Sequence, residues 1–269
     1  STQGVSSAAS DVYKRQFLMR LPRLPKRTGL TLACGACALA AAAAVLPARW
    51  LLALLPADAP VTLADAAGTV WNGSAWIALG PPGARRLLPQ ALQWQWRWPS
   101  MTLELSHPWL QGPVRAGIDW SGVTLSAQSL RLPATALPAL GAPWNTLAPE
   151  GTIEVNWQAL RLGGNLPDAP LADLRWRDAG TALTRVSPVG TYLLRIRGNG
   201  KSGATLALTT ESGPLAVTGQ GSANARGVRF TGQATFAPSA SEADRAALDG
   251  LMSTLGRRSG DTVEFGTGK

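Results

Sequence analysis

The fold class is decided by one stretch of this sequence, Leu92-Gln93-Trp94-Gln95-Trp96-Arg97-Trp98. Apolar and polar side chains alternate at every position, which is the period of a β-strand. Such a strand cannot bury both faces, because its polar side chains would lose water without gaining partners. The tryptophans are therefore predicted to face a common interior, and the two glutamines and the arginine to face water.

The same two-residue period recurs along the chain, between turns rich in Gly, Pro and Asn. Further examples lie at 103–105, 118–120, 153–157, 174–176, 192–196, 206–208 and 228–236. Roughly ten short strands with no helices between them predict a mainly β fold. Clean alternation favours an antiparallel, twisted and curved sheet, either closed like a barrel or open like a half-pipe.

One amphipathic helix is predicted near the C-terminus. Ser239-Ala-Ser-Glu242 has the spacing of a capping box, and Leu248, Leu251, Met252 and Leu255 share one helical face before Gly256. That face either covers the core of the domain or binds a partner.

The β-rich domain is predicted to span residues 60–258. A proline-rich segment at 133–149 divides it into possible lobes, 60–132 and 150–236. Residues 259–269 are expected to form a tail.

A transmembrane helix is predicted before this domain. Residues 28–46 carry no charge, and a bilayer core needs about 20 apolar residues. Apolar sequence resumes at 50–55, so a membrane-proximal helix is expected within 28–55. The basic segment 19–27 is predicted to be cytoplasmic, which places the β-rich domain in the periplasm. A cleaved export signal is the alternative, since it also combines a basic segment with an apolar one.

Residues 1–18 differ in character from the rest of the chain, and Met19 is a natural start. This stretch is therefore interpreted as foreign translated sequence.

The charge distribution argues against a nucleic-acid partner. The formal net charge is +9, but six basic residues and only one acidic residue precede residue 28. No later cluster of Lys and Arg is interleaved with aromatic residues, as nucleic-acid binding would require.

Candidate catalytic and metal-binding residues do not combine into a site. Cys34 and Cys37, the only cysteines, lie within the predicted span, where a zinc ion would find no further ligands. The segment 198–202 ends like a phosphate-binding loop, but Arg195 stands where that motif needs glycine. His107 is the only histidine and lacks a nucleophile motif nearby. We therefore expect no enzyme activity, no cofactor, no metal and no small-molecule substrate.

Several short motifs resemble the type II secretion system protein N family. Gly68-Thr-Val-Trp-Asn-Gly-Ser-Ala75 follows the apolar segment and precedes the Trp-rich strand, as in that family. Gly213-Pro-Leu215, Gly219-Gln-Gly221 and Phe230-Thr-Gly232, followed by the C-terminal helix, are similar to its tail in type and order. The family-motif residues carried over are Gly68, Thr69, Trp71, Gly73, Ala75, Trp94, Trp96, Gly213, Leu215, Gly219, Phe230 and Gly232.

The resemblance implies an accessory, single-pass component of the bacterial inner membrane. Such a protein would contact other inner-membrane components of type II secretion and help to export folded proteins from the periplasm. The alternative function is an anchored lipid-binding or lipid-transfer protein, whose curved sheet would offer an apolar groove to acyl chains.

Overall fold

A computed structural model describes residues 26–53, 55–56, 59, 61–120, 122–141 and 144–267. The chain divides into two compact units, Ser1–Val45 and Leu46–Lys269. The segment 1–18, and the predicted cytoplasmic segment 19–27 up to residue 25, lie outside the described residues.

Two helices occupy the segment that was predicted to hold a membrane-spanning and a membrane-proximal helix. Helix α1 (Lys26–Ala44) belongs to the first unit, and the short α2 (Arg49–Ala53) belongs to the second. Within the described residues, no helix combines the length and hydropathy that crossing a bilayer demands. The membrane span therefore stays a prediction.

Strands make up most of the regular secondary structure of the second unit. They are β1 (Val61–Gly68), β2 (Asn72–Leu79), β3 (Arg86–Arg97), β4 (Thr102–Ser106), β5 (Val114–Asp119), β6 (Gly122–Leu125), β7 (Gln128–Pro133), β8 (Pro149–Trp157), β9 (Leu160–Leu162), β10 (Pro170–Thr181), β11 (Gly190–Gly198), β12 (Ala204–Ser212), β13 (Leu215–Asn224), β14 (Gly227–Phe236), β15 (Arg257–Ser259) and β16 (Thr262–Thr267). The helical elements among them are the 3₁₀ helices Trp98–Ser100 and Ala134–Leu140, α3 (Trp144–Leu147) and α4 (Glu242–Leu255).

These strands form two open antiparallel sheets. The first has the order β1-β2-β3-β4-β5-β6-β9, and the second has the order β15-β16-β14-β13-β12-β11-β10-β8-β7. The mainly β, antiparallel prediction is thus confirmed. Closure into a barrel is wrong, because each sheet ends in two separate edge strands.

The two sheets meet at a junction where the chain crosses from one sheet to the other through two short connections. Only two residues separate β6 from β7, and only two separate β8 from β9. The indole of Trp157 donates a hydrogen bond across this junction to the carbonyl of Ser126, at 3.0 Å. The chain therefore crosses between the sheets at this junction. The segment 133–149, in contrast, connects β7 to β8 within the second sheet.

Two apolar clusters hold the second unit together. One lies between α4 and the second sheet and contains buried Val189, Leu215, Ala234, Leu248, Leu251, Met252 and Val263. The other lies at the first sheet, where Ala48, Ala75 and Trp94 are buried and Leu51 of α2 packs against them. Helix α4 thus covers the core of its own unit, and α2 belongs to the same β-rich unit.

The C-terminal region differs from its prediction in two places. Helix α4 is capped two residues later than expected, by a reciprocal pair in which Ser241 and Asp244 each bond the backbone N–H of the other. Strand β16, in the stretch predicted as a tail, pairs with β14 and contributes fully buried Val263 to the core. The short alternation Thr262-Val263-Glu264-Phe265 was the sequence signal for this strand.

Candidate functional site

His107 has a structural environment. Its side chain is buried, its Nδ1 accepts a hydrogen bond from the backbone N–H of Trp109 at 3.2 Å, and its Nε2 lies 3.3 Å from the carbonyl oxygen of Gln90. Because Nδ1 accepts a hydrogen bond, Nε2 is the ring nitrogen that donates to the Gln90 carbonyl. One ring nitrogen therefore contacts the backbone of β3, and the other contacts the backbone two residues after His107.

The segment 198–202 forms the turn between β11 and β12. The Asn199 carboxamide oxygen accepts hydrogen bonds from the backbone N–H groups of Lys201 and Gly203, at 2.9 and 3.2 Å. Gly200 has a φ of +71°, which favours glycine. A strand follows this turn, in place of the helix that a phosphate-binding loop requires.

The motif Gly68–Ala75 folds over the indole of Trp94, and we call this arrangement the tryptophan clasp. The Trp94 side chain is only 5% exposed, and its Nε1 donates to the carbonyl oxygens of Thr69 at 3.3 Å and Val70 at 3.1 Å. Ala75 is fully buried in the same cluster. The motif therefore satisfies the one polar atom of a buried indole.

Two glycines make the tryptophan clasp possible. Gly68 has a φ of +85°, and a Cβ there would lie 2.6 Å from the carbonyl oxygen of Asn72. A Cβ on Gly73 would lie 2.7 Å from the Trp94 ring and 2.6 Å from the carbonyl oxygen of Ala67. In the turn between these two glycines, the Thr69 hydroxyl accepts a hydrogen bond from the backbone N–H of Asn72 at 3.1 Å. These contacts explain why the motif spaces glycine, threonine and glycine as it does.

The remaining tryptophans of this region form an aromatic cluster beside the tryptophan clasp. The Trp71 and Trp98 ring centroids are 4.7 Å apart, and Trp96 lies 6.4 Å from Trp71 and 6.0 Å from Trp98. Only Trp94 is buried; Trp96 is partly exposed and Trp98 is 53% exposed. The prediction that Trp98 faces the interior is wrong, because Pro99 cannot continue the ladder of β3 and the chain turns into a 3₁₀ helix.

The second group of motif residues lies in the second sheet. Gly213 has a φ of +118°, and a Cβ there would lie 2.3 Å from the Cα of Gly190. Leu215 is buried under α4, and its carbonyl oxygen accepts a hydrogen bond from the Tyr192 hydroxyl at 3.2 Å. Burial raises the pKa of Tyr192, so this hydroxyl keeps the proton that it donates.

Two phenylalanine rings lie on three glycines in neighbouring strands, and we call this arrangement the glycine–phenylalanine ladder. A Cβ on Gly219 or Gly221 would lie 2.5 or 2.8 Å from the Phe230 ring, and one on Gly232 would lie 2.5 Å from the Phe265 ring. The two rings stack with their centroids 6.3 Å apart. Each glycine thus leaves a place that an aromatic ring fills.

We predict that Gly219→Ala destabilises the domain by about 1–3 kcal/mol, as overpacking does. The new methyl group would lie 2.5 Å from Phe230 Cζ, so the ring must move. Chemical denaturation of the purified chain measures the loss. Gly164→Ala is the control, since nothing lies within 4 Å of its Cβ position.

A double-mutant cycle identifies the cause of this loss. Combining Gly219→Ala with Phe230→Leu should show an interaction energy, because the smaller side chain relieves the clash. Strictly additive effects would contradict the packing role of the glycine–phenylalanine ladder.

The structure does not bring all twelve motif residues together. One group lies in the first sheet or in its β1–β2 turn: Gly68, Thr69, Trp71, Gly73, Ala75, Trp94 and Trp96. The other lies in the second sheet or in its β12–β13 turn: Gly213, Leu215, Gly219, Phe230 and Gly232. Phe265 completes the glycine–phenylalanine ladder but was missed, because its short strand was expected to be a tail. The motifs therefore mark two separate packing arrangements.

The surface next to the tryptophan clasp is polar. A cleft of about 370 Å³ is lined there by Asn72, Ser74, Gln93, Gln95, Glu104 and Ser106, together with the clasp itself. Arg97 and Arg115 each donate to the Glu104 carboxylate, at 2.9 and 3.0 Å, and these hydrogen bonds lower the pKa of Glu104. Two arginines thus share one carboxylate on this face, and the cluster keeps a net positive charge.

One of three comparisons with known proteins identifies a family for this chain. No curated protein and no solved structure matches the chain. Residues 59–263, which are more than half of the chain, match the family described as type II secretion system (T2SS), protein N. The matched region includes both the tryptophan clasp and the glycine–phenylalanine ladder, and the chain belongs to the type II secretion system protein N family.

Proposed function

We propose that this protein is an accessory structural component of the type II secretion machinery that acts through its surfaces and has no enzyme activity. The single observation that carries this proposal is the family match over residues 59–263. The packing roles of the motif residues support it, since they stabilise a scaffold. His107 likewise has both ring nitrogens bound to backbone groups.

We further propose that the segment containing α1 tethers the chain to the bacterial inner membrane, with the β-rich unit in the periplasm. The basic residues before the uncharged run support this orientation. Tethering confines the unit to a thin layer, which raises its effective concentration toward other anchored components. The proposed partners are therefore inner-membrane components of the same machinery.

We predict that removing the tether abolishes the contribution of this protein to secretion. The deletion should cover residues 20–44 and leave α2 in place, because Ala48 and Leu51 belong to the core of the β-rich unit. A cleavable export signal would deliver the shortened chain to the periplasm. In a strain lacking the native gene, secretion is expected to stay at the level of the gene deletion, measured as exported enzyme in the culture medium.

Two control experiments accompany this deletion. Lys201→Ala and Ser202→Ala change an exposed turn and should leave secretion intact. Replacing residues 26–44 by an unrelated transmembrane helix separates tethering from helix recognition, because full secretion would show that the segment only tethers. Full secretion by the untethered unit would contradict the tethering proposal.

A second candidate function, lipid binding, is favoured by one face of the second sheet. Leu174, Leu194 and Leu208 lie on one rung, paired across β10, β11 and β12. All three stay partly exposed, and the sheet is open. Phospholipid that co-purifies with the chain and is lost in Leu208→Gln would favour this function over a purely structural one.

A further inference from the structure

Exposed apolar side chains gather along one end of the first sheet, and we call this set the apolar rim. It consists of Trp98, Met101, Ile118, Trp120 and Leu162. Trp120 is fully exposed, and each of the others is about half exposed. The alternation pattern had predicted that Ile118 and Trp120 would face the interior; this is wrong, because the strand ends at Asp119 and the chain turns.

The strand register places these residues side by side. Trp98 and Met101 lie in the connection from β3 to β4, and the backbone N–H of Ile118 donates to the Met101 carbonyl at 3.4 Å. Ile118 pairs with Val123, which pairs with Leu162. With neighbouring strands about 4.8 Å apart, the five strands from β3 to β9 make an apolar rim about 19 Å wide.

The chain enters the second unit at this same end of the sheet. Pro47 pairs with Thr69, and the backbone N–H of Val70 donates to the carbonyl of Leu46 at 2.9 Å. Trp71 follows directly and contacts Trp98. Exposed Trp50 lies three residues beyond Pro47. The proposed tether, which ends just before Leu46 in the sequence, therefore joins the sheet at the end that carries the apolar rim.

We infer that the apolar rim inserts into the headgroup layer of the lipid bilayer and holds the first sheet end-on against the membrane. Tryptophan is suited to this layer, because its indole is largely apolar but keeps one N–H that prefers water. The neighbouring carboxylates do not oppose insertion, since Asp119 is paired with Arg161 at 3.0 Å and Glu104 is bound by both Arg97 and Arg115.

The shape of the apolar rim favours a bilayer over a protein partner. A stable protein interface takes about 20–30 residues on each side, whereas the rim is a single row along strand ends. A row of this kind suits a soft surface that accepts side chains to a shallow depth. The inference rests on the proposed membrane tether.

The test measures the depth of a spin label at residue 120 in the full chain. Cys34→Ala and Cys37→Ala remove the native thiols, and Trp120→Cys carries the label in vesicles of phosphatidylethanolamine and phosphatidylglycerol. The label is expected to lie about 5–10 Å deep, at the boundary between headgroups and acyl chains where interfacial apolar side chains are found. It should be accessible to oxygen and protected from a water-soluble nickel complex.

Val228→Cys is the matched control, because Val228 is an exposed apolar residue in the second sheet. Its label should stay accessible to the nickel complex. Adding Met101→Ser and Ile118→Ser to the Trp120→Cys chain should move the label at 120 toward water. Circular dichroism establishes that each variant is folded.

The outcomes separate the apolar rim from the tether. If the chain floats with the vesicles but the label at 120 is as accessible to the nickel complex as the label at 228, the inference on the apolar rim is overturned and the tether stands. Close approach of two labels in detergent, without vesicles, would assign the rim to a second copy of the chain and also overturn it. If the chain does not float with vesicles, the tether itself is wrong.

Discussion

Trp94→Ala should destabilise the β-rich unit by about 3–5 kcal/mol, the usual cost of truncating a large buried aromatic residue. The substitution leaves a cavity between Ala48 and Ala75, and it leaves the carbonyl oxygens of Thr69 and Val70 without their indole donor. For a domain of about 200 residues, this loss corresponds to a fall in Tm of roughly 6–20 °C. Thermal unfolding followed by circular dichroism measures it.

Trp120→Ala is the matched control for this experiment. It removes the same side chain from a fully exposed position, so the change in stability should stay within about 0.5 kcal/mol. Trp96→Ala, which the alternation alone would rank equal to Trp94→Ala, should have an intermediate effect, because Trp96 is only partly buried. A loss under about 1 kcal/mol for Trp94→Ala would refute the role of the tryptophan clasp.

Leu248→Ala should have the next largest effect, a loss of about 2–5 kcal/mol. Leu248 is fully buried where α4 meets the second sheet, and Met252, one turn later, is fully buried beside it. Truncation opens a cavity between α4 and the strands that carry Leu215 and Val263. Urea denaturation of the purified chain gives the free energy of unfolding.

The same helix provides a control with the opposite sign. Gly250 is exposed on α4, and a Cβ there would meet nothing within 4 Å. Gly250→Ala should therefore stabilise the helix by about 0.5–1 kcal/mol, because alanine loses less backbone entropy. If both substitutions had the same small effect, α4 would not be part of the cooperative core.

The local pattern of the sequence was sufficient for the fold class and for the C-terminal helix. Alternation identifies which side chains share a face, and the periodic residues Leu248, Leu251 and Met252 are indeed buried. Alternation does not identify which strands pair with each other in a sheet. The division into two sheets depends on β6 pairing with β9 across about forty residues, and a two-residue period contains no information on that partner.

The alternation pattern also could not predict which apolar side chains are exposed at the ends of strands. Trp98 and Trp120 continue an alternating series, yet each lies where its strand stops, at Pro99 or at a turn. For the candidate site, the motif residues could be identified by resemblance to the family, but their packing roles depend on the three-dimensional fold. The Phe230 ring lies on Gly219 and Gly221 because of the strand register and the orientation of the ring. The spacing of the motif residues in the sequence does not predict either of these.

For the periplasmic location proposed above, the junction between the sheets has a consequence for how the chain folds as it emerges from a translocation channel. Most strands pair with their immediate predecessor, from β1 to β6 and again from β10 to β14, so each of these hairpins can form soon after it emerges. Three pairings skip a strand along the chain: β8 with β10, β14 with β16, and β6 with β9. The pairing of β6 with β9 skips two strands, so the second edge of β6 must wait for Leu160–Leu162. We expect the first sheet to remain one strand short, with an open edge able to accept the strand of another chain, until residue 162 has emerged.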